Sequence, residues 1–238
     1  MKINFDIFSF LDIFVRRNRL DEKPVMNNRG VVVSVKEEGL LLVISAPSGT
    51  GKTTICRALT DRHPEFILSI SATTRAPRPG EKDGRDYYFI SKDEFLQKLS
   101  QGYFVEHTEI YGNLYGTPAN GIKEALRSGK TMVFDIDFAG GHSIKKAFPD
   151  HTVLLYLLPP SYEALRNRII SRGKDSPDEI RNRLASADKE LQFLHSYDYF
   201  VFNETVPQAV SDIEKIIFAE KSRTSRIEKF QAFFPKGG

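Results

Sequence analysis

Leu40 to Ile44 is an unbroken apolar run. It leads into Ser45-Ala46-Pro47-Ser48-Gly49-Thr50-Gly51-Lys52-Thr53-Thr54, after which Ile55, Ala58 and Leu59 fall on one helical face until His63-Pro64. The pattern predicts a buried strand, a glycine-bearing turn and a helix. Phe66 to Ser71 reads as a second strand, running into a loop over Thr73–Tyr87 whose prolines and glycines forbid a long helix. Tyr88-Phe89-Ile90 resumes a strand, and Ser91-Lys92-Asp93-Glu94 is a capping box for a helix to about Ser100. Short apolar-aromatic pieces around Gly112-Asn113 suggest a small antiparallel lobe. A helix over Pro118–Arg127 follows, then a strand over Thr131–Asp137, another over Thr152–Leu158, helices from Tyr162 and from Pro177, a last strand at Tyr199–Phe202 and a helix from Val206 to Glu220. Strands alternating with helices imply an α/β fold with a parallel sheet, and in such sheets ligands sit beyond the carboxyl ends of the strands. Ser71, Asp135, Asp137 and Asn203 occupy such ends.

The turn between the first strand and helix carries phosphate chemistry. Gly49 and Gly51 let backbone N–H groups turn inward on a polyphosphate, the helix N-terminus adds partial positive charge, Lys52 supplies a point charge, and Thr53 offers a hydroxyl for Mg²⁺. The pattern G-x-x-x-x-G-K-[ST] has Ala46 at its first glycine. Ala is tolerated there if positive φ is not required. A chance glycine-rich turn is the bland alternative, and the flanking strand and helix with an intact Gly51-Lys52-Thr53 argue against it. The expected ligand is a nucleoside triphosphate.

Composition narrows the picture little further. With 238 residues, 40% of them hydrophobic, the chain can hold one large α/β domain with small insertions. A net charge of +3 from 34 basic and 31 acidic side chains gives no argument for nucleic acid. The single cysteine, Cys56, forms no internal disulfide and suits a reducing, cytoplasmic setting. No apolar run reaches membrane-spanning length, and no stable membrane association is expected. Residues 1–38 differ from the rest. Ile3, Ile7, Phe10, Leu11 and Phe14 share a helical side, but Asp6 and Asp12 break a secretory pattern, so the stretch reads as an extension and linker, with Met26 a candidate start. The residues after 221 read as a basic tail.

A phosphate loop alone says only that a nucleotide binds. The run Thr73-Thr74-Arg75-Ala76-Pro77-Arg78-Pro79-Gly80-Glu81, with Gly84-Arg85-Asp86-Tyr87 beyond it, says more. Two arginines stiffened by a proline can grip a second phosphate by forked hydrogen bonds. In this run, and from about Gly39 to Lys221, the chain resembles the guanylate kinases. The resemblance implies a P-loop NTPase-type parallel sheet flanked by helices, with a core over 39–70 and 118–221, a small α+β GMP-binding lobe over 71–117 and a helical lid over 162–195. It implies transfer of the γ-phosphoryl of ATP to GMP, with Mg²⁺ accompanying ATP. ATP would be held by Pro47, Ser48, Gly49, Thr50, Gly51, Lys52, Thr53, Thr54 and Asn203. GMP would be bound by Arg75, Arg78, Tyr87 and Tyr115, which hold its phosphate, by Glu81, and by Ser71, Glu106, Thr117 and Asp137, which read guanine. Lys52 and the lid arginines Arg168, Arg172 and Arg183 would be catalytic, and Thr53 and Asp135 would serve the metal. Ala139 stands where the family often has Gln, and Glu204 where Asp is common. Two other readings stay open: a kinase for another base, and a guanylate-kinase-like interaction module without catalysis. Oligomeric state is left undecided.

Overall fold

Two strands, β1 (Val25–Met26) and β2 (Val31–Val35), precede the apolar run, which forms β3 (Leu40–Ser45). The structure is a computed structural model and describes residues 25–26, 31–35, 39–47, 49–110, 112–171 and 177–232. Helix α1 (Lys52–Arg62) leaves the glycine turn and leads to the short strands β4 (Ile67–Leu68), β5 (Ala72–Thr73) and β6 (Tyr88–Phe89). Next come α2 (Lys92–Ser100), the hairpin β7 (Phe104–Ile110) and β8 (Asn113–Pro118), α3 (Asn120–Arg127) and β9 (Thr131–Asp135). The chain continues through α4 (Phe138–Ala147), β10 (Thr152–Leu158), α5 (Tyr162–Ser171), α6 (Pro177–Leu191), β11 (Tyr199–Phe202) and α7 (Val206–Lys221).

Five of these strands make one sheet in the order β11-β10-β3-β9-β4, every pair parallel. β3 is central because all six of its residues are buried, a pattern only a strand covered on both faces tolerates. Its alternation feeds two layers. Leu40, Leu42 and Ile44 pack with Ile55 and Leu59 of α1 and with Ala209 and Ile213 of α7. Leu41 and Val43 pack on the other face with Ile122 and Ala125 of α3 and Ile144 of α4. Each fully buried aliphatic side chain contributes about 1.5–3 kcal/mol, so this strand is a large share of what holds the layers together.

A second sheet, in the order β6-β5-β8-β7, builds the lobe inserted between β4 and β9. Its hairpin turns at Gly112, with φ 76°. The local signals act where expected: Ser91 caps α2 by accepting from the Glu94 amide at 3.1 Å. Other expectations give way to tertiary structure. The strand read over Phe66–Ser71 divides into β4, which pairs with β9, and then β5, which pairs with β8 and β6 in the lobe. Pro118 belongs to β8, opposite Phe104, and the helix read from it begins at Asn120.

β1, β2 and β12 (Ile227–Ala232) form a separate three-stranded antiparallel sheet, and the chain divides into a unit of residues 1–36 with 227–238 and a unit of residues 37–226. Val31–Val35, within the stretch read as extension and linker, and Ile227–Ala232, within the stretch read as a basic tail, are thus strands. The two strands are β-branched or alternating segments nearly two hundred residues apart, and only their pairing makes either of them a strand. The apolar pattern at Ile3–Phe14 lies outside the described residues.

Candidate active site

The phosphate loop is held open by geometry only glycine supplies. Gly49 and Gly51 have φ of 95° and 97°, in the left-handed region. A Cβ at Gly51 would lie 2.9 Å from Asn203 Nδ2, and one at Gly49 would lie 2.9 Å from Ile169 Cγ1. Asn203 and Arg168 grip the loop from outside. The Thr50 carbonyl accepts from Asn203 Nδ2 at 2.7 Å and from Arg168 Nη1 at 3.0 Å, while Arg168 Nη2 donates to the Asn203 carbonyl at 3.1 Å. Pro47 O closes the turn by accepting from the Thr50 amide at 3.1 Å. The first turn of α1, which includes Thr54, has no side-chain cap among the described residues, so its N–H groups are available to an anion. Ala46 packs its methyl against the core.

Lys52 lies across the end of the neighbouring strand. Its Nζ donates to the Ile136 carbonyl at 2.7 Å and pairs with Asp135 Oδ1 at 3.1 Å. The other carboxylate oxygen of Asp135 accepts from Thr53 Oγ1 at 2.5 Å. A hydroxyl and a carboxylate side by side are hard oxygen donors, the set that binds Mg²⁺ through one or two protein ligands and leaves the rest to water and phosphate. No cluster of three or more His, Cys, Asp or Glu side chains occurs among the described residues. Ser45 ties β3 to the same corner, its hydroxyl directed at Ile136 O at 3.2 Å and Asp137 O at 3.3 Å.

Next to this corner stands a buried carboxyl. Glu106, on β7, is 9% exposed and accepts from Thr117 Oγ1 at 2.5 Å. Asp137 caps α4, accepting from the Gly140 amide at 2.8 Å. A Cβ at Gly140 would come within 3.1 Å of Glu106 Oε2 and 3.2 Å of Asp137 Oδ1, so a glycine here gives the two carboxyls room to stand together. Burial, assisted by the Asp137 charge, raises Glu106 above the usual carboxylate range against the lowering hydrogen bond from Thr117.

The arginine loop is braced internally. Arg75 Nη2 meets both Glu81 oxygens, at 2.9 and 3.0 Å, and Glu81 also accepts from the Arg78 amide at 2.7 Å. The Arg75 contact holds the Glu81 carboxyl below its ordinary value. The Arg75 guanidinium lies 5.5 Å from the Tyr87 ring centre, and Tyr87 meets Tyr115 edge-on at 6.0 Å. Arg78 is exposed at the rim, and Ser71 is half-buried at the base of the lobe. Asp86 fastens this loop to α1: it bonds Arg57, takes the Lys82 amide at 2.8 Å and the Arg85 guanidinium at 2.9 Å.

The structure thus brings together Thr50, Lys52, Thr53, Asp135, Arg168 and Asn203 on one side, and Glu106, Thr117 and Asp137 beside them. Arg75, Glu81, Tyr87 and Tyr115 form a third group in the lobe. Arg183 is half-buried on α6. Ser48 and Arg172 lie outside the described residues. Ser45 and Asp86 were not singled out for roles by the sequence reading. Asp86 lay inside the recognised run, whereas Ser45 carries no local signal because its partners at Ile136 and Asp137 come from a distant element.

Comparison with known proteins agrees with this arrangement. The family described as guanylate kinase matches residues 38–220. A guanylate kinase of Clostridium perfringens (strain 13 / Type A) is 46% identical over 191 residues, covering 80% of this chain and 88% of the relative. One from Clostridioides difficile (strain 630) is 45% identical over 200 residues, covering 82% and 97%. A crystal structure of guanylate kinase from Anaplasma phagocytophilum superposes with a TM-score of 0.68 at 33% identity, covering 82% of this chain and 92% of that one. With the phosphate loop, the buried carboxyls and the arginine lobe in one unit, this chain belongs to the guanylate kinase family.

Proposed function

We propose that the chain transfers the γ-phosphoryl group of ATP to GMP, giving ADP and GDP. The observation that carries this is the buried Glu106 of β7 beside Asp137, which follows β9, the strand next to the one that ends in the phosphate loop. Guanine presents N1–H and its N2 amino group side by side, a donor pair that matches a carboxylate, and adenine has no such pair. A buried glutamate left unpaired is costly, so this pocket discriminates by what it fails to satisfy.

In the reaction, an oxygen of the GMP phosphate attacks the γ-phosphorus as the bond to the β-phosphate oxygen breaks. The attacking oxygen is already anionic, so no strong general base is required. Positioning and charge neutralisation do the catalysis. Arg75, Arg78, Tyr87 and Tyr115 hold the acceptor phosphate, with Glu81 keeping Arg75 in place. Lys52 and the lid arginines Arg168, Arg172 and Arg183 offset the charge that moves between phosphates. Ser71 and Thr117 complete the guanine contacts, and Asn203 holds the loop that wraps ATP. Thr53 and Asp135 would hold Mg²⁺, which when bound draws charge from the phosphates. No helix among the described residues is long and apolar enough to cross a membrane, and the proposed place of action is the cytoplasm, where both nucleotides occur.

A coupled assay of ADP release with GMP, AMP, UMP and dTMP tests the reading. GMP alone is expected to support rapid turnover. Preference for another monophosphate would reassign the base, and no turnover with any would favour a non-catalytic interaction module.

The raised Glu106 carboxyl adds a pH signature. Its carboxylate form accepts from guanine, so protonation removes the acceptor, and the KM for GMP is expected to climb as pH falls through the raised value. That climb begins above the range where an ordinary glutamate titrates. The free fold responds oppositely: stability contributed by the protonated Glu106 is present below the ordinary glutamate value and lost as pH rises through the raised one. A KM for GMP that stays flat from neutral pH to pH 5 while ATP binding is intact would exclude Glu106 as the reader.

A further inference from the structure

Asp86 divides its carboxylate between two tasks. Oδ2 works within its own loop, accepting from the Lys82 amide at 2.8 Å and from Arg85 Nε and Nη2 at 3.0 and 2.9 Å. Oδ1 reaches out of the lobe and accepts from Arg57 Nη2 on α1. The loop around Asp86 is tied to itself and to the lobe. The Asp86 amide donates to the Lys82 carbonyl at 3.0 Å, the Gly84 amide to the Tyr87 carbonyl at 2.9 Å, and the Tyr88 amide to the Ser71 carbonyl at 2.9 Å. A pull on Asp86 is therefore felt by the next residue, Tyr87, which lies against Arg75 and Tyr115. The α1 end of the contact is placed as closely to the other substrate. Arg57 and Thr53 are four residues apart on α1 and share a face, and the Thr53 hydroxyl meets Asp135 at 2.5 Å. The Asp86 side chain is 6% exposed and that of Arg57 48%, so one end of the pair is covered and the other solvated. A pair of this kind adds little to stability. What it does is join the helix of the phosphate loop to the loop of acceptor arginines.

We propose that Arg57 is a positioning residue for phosphoryl transfer, its ion pair with Asp86 setting how far the arginine loop stands from the phosphate-loop helix. The inference rests on the transfer reading above and adds to it. The donor side is built on the parallel sheet and the acceptor side on the lobe sheet, two separate sheets that must present their phosphates in line. A misplacement of about 1 Å between reacting groups costs about a hundredfold in rate. The Arg57–Asp86 pair joins protein to protein and needs neither nucleotide to form, so it orders the arginine loop against α1 before the substrates meet. Because Oδ2 holds the loop and Oδ1 holds α1, the two tasks of Asp86 can be separated by experiment.

Arg57→Leu removes the pair from the α1 side, and its melting temperature is expected to stay within about two degrees of the wild-type value. Its kcat is expected to fall about tenfold, with KM for ATP and GMP within about threefold, because the nucleotide contacts stay in place and only their relative placement loosens. Asp86→Asn breaks the same contact from the other side: its amide oxygen serves Lys82 and Arg85 while its N–H group faces Arg57. It should lose kcat similarly, and the double variant should lose little more, because one contact is being removed twice. Arg57→Lys should recover most of the lost rate, since the contact runs through a single nitrogen and needs a charge more than a fork. Hydrogen exchange gives a readout independent of turnover: the Gly84 and Asp86 amides should exchange faster in Arg57→Leu than in the wild type, while the α1 amides keep their rates. Unchanged or raised kcat in Arg57→Leu overturns the proposal, as does a rate loss that tracks a lowered melting temperature or is additive with Asp86→Asn. A lysine variant no faster than the leucine one also overturns it, and so does equal exchange at Gly84 and Asp86. A wild type that fails to phosphorylate GMP sinks the transfer reading instead, and the exchange comparison still decides whether Arg57 orders the arginine loop.

Discussion

Lys52→Ala is expected to lower kcat about a thousandfold while the melting temperature moves by only a few degrees. In the proposed reaction the side chain offsets charge on the transferring phosphates, and losing a preorganised donor of that kind costs about a hundred- to a thousandfold even when it is uncharged. The fold does not depend on it. In the free protein the amine bonds Ile136 O and Asp135, but the Ser45 hydroxyl also reaches Ile136 O and the Thr53 hydroxyl keeps Asp135. No buried group is orphaned by the change. Lys52→Arg should restore little, because a planar fork on a longer stem cannot replace a compact point charge there. Rates and melting curves on the same preparations decide the matter: a variant retaining more than about a tenth of kcat would show that this loop is not the donor site.

Glu106→Gln is expected to reduce kcat/KM for GMP by about ten- to a hundredfold and leave the KM for ATP nearly unchanged. The carboxylate can accept from guanine N1–H and from the N2 amino group, whereas Gln replaces one acceptor with a donor. In a buried pocket, one hydrogen bond then becomes a repulsion between donors. A charged hydrogen bond contributes about 1.5–3 kcal/mol, which sets the size of the effect. Thr117 sharpens the test, since its hydroxyl already donates to one Glu106 oxygen at 2.5 Å and can donate equally to the Gln carbonyl. The variant thus keeps its internal partner and loses its match to the base. Equal losses for both nucleotides, or none for either, would remove Glu106 from guanine recognition.

What could be read from the sequence was what local chemistry decides. The run from Leu40 to Thr54 announces its strand, turn and helix because burial, positive φ and a phosphate-seeking lysine each demand particular residues in order. Ser91 and Glu94 announce a cap in the same way. Helix α4 had no such announcement. Gly140 and Gly141 weaken it by propensity, yet both are needed for close approach: a Cβ at Gly141 would lie 2.9 Å from Val43 Cγ1, and Gly140 makes room for Glu106. Asp137 is also the cap of that helix, a structural duty hidden behind its expected contact with guanine. Asn203 likewise proves to be a brace on Thr50, which only the approach of β11 to the loop reveals. Ser45 meets Ile136 and Asp137 from another strand, and no spacing along the chain could have gathered them.

The central position of β3 also sets an order of events during synthesis. This strand is made early, and both neighbours come late: β9 begins at Thr131 and β10 at Thr152. At about 5–20 residues per second, the ribosome needs on the order of ten seconds to deliver the first of them. Until then Leu40-Leu41-Leu42-Val43-Ile44, the most apolar stretch of the unit, has neither edge paired. A sheet wound outward from a strand that is translated first leaves its stickiest segment waiting for partners, so the nascent chain is most open to misassociation before the second half of the protein has emerged.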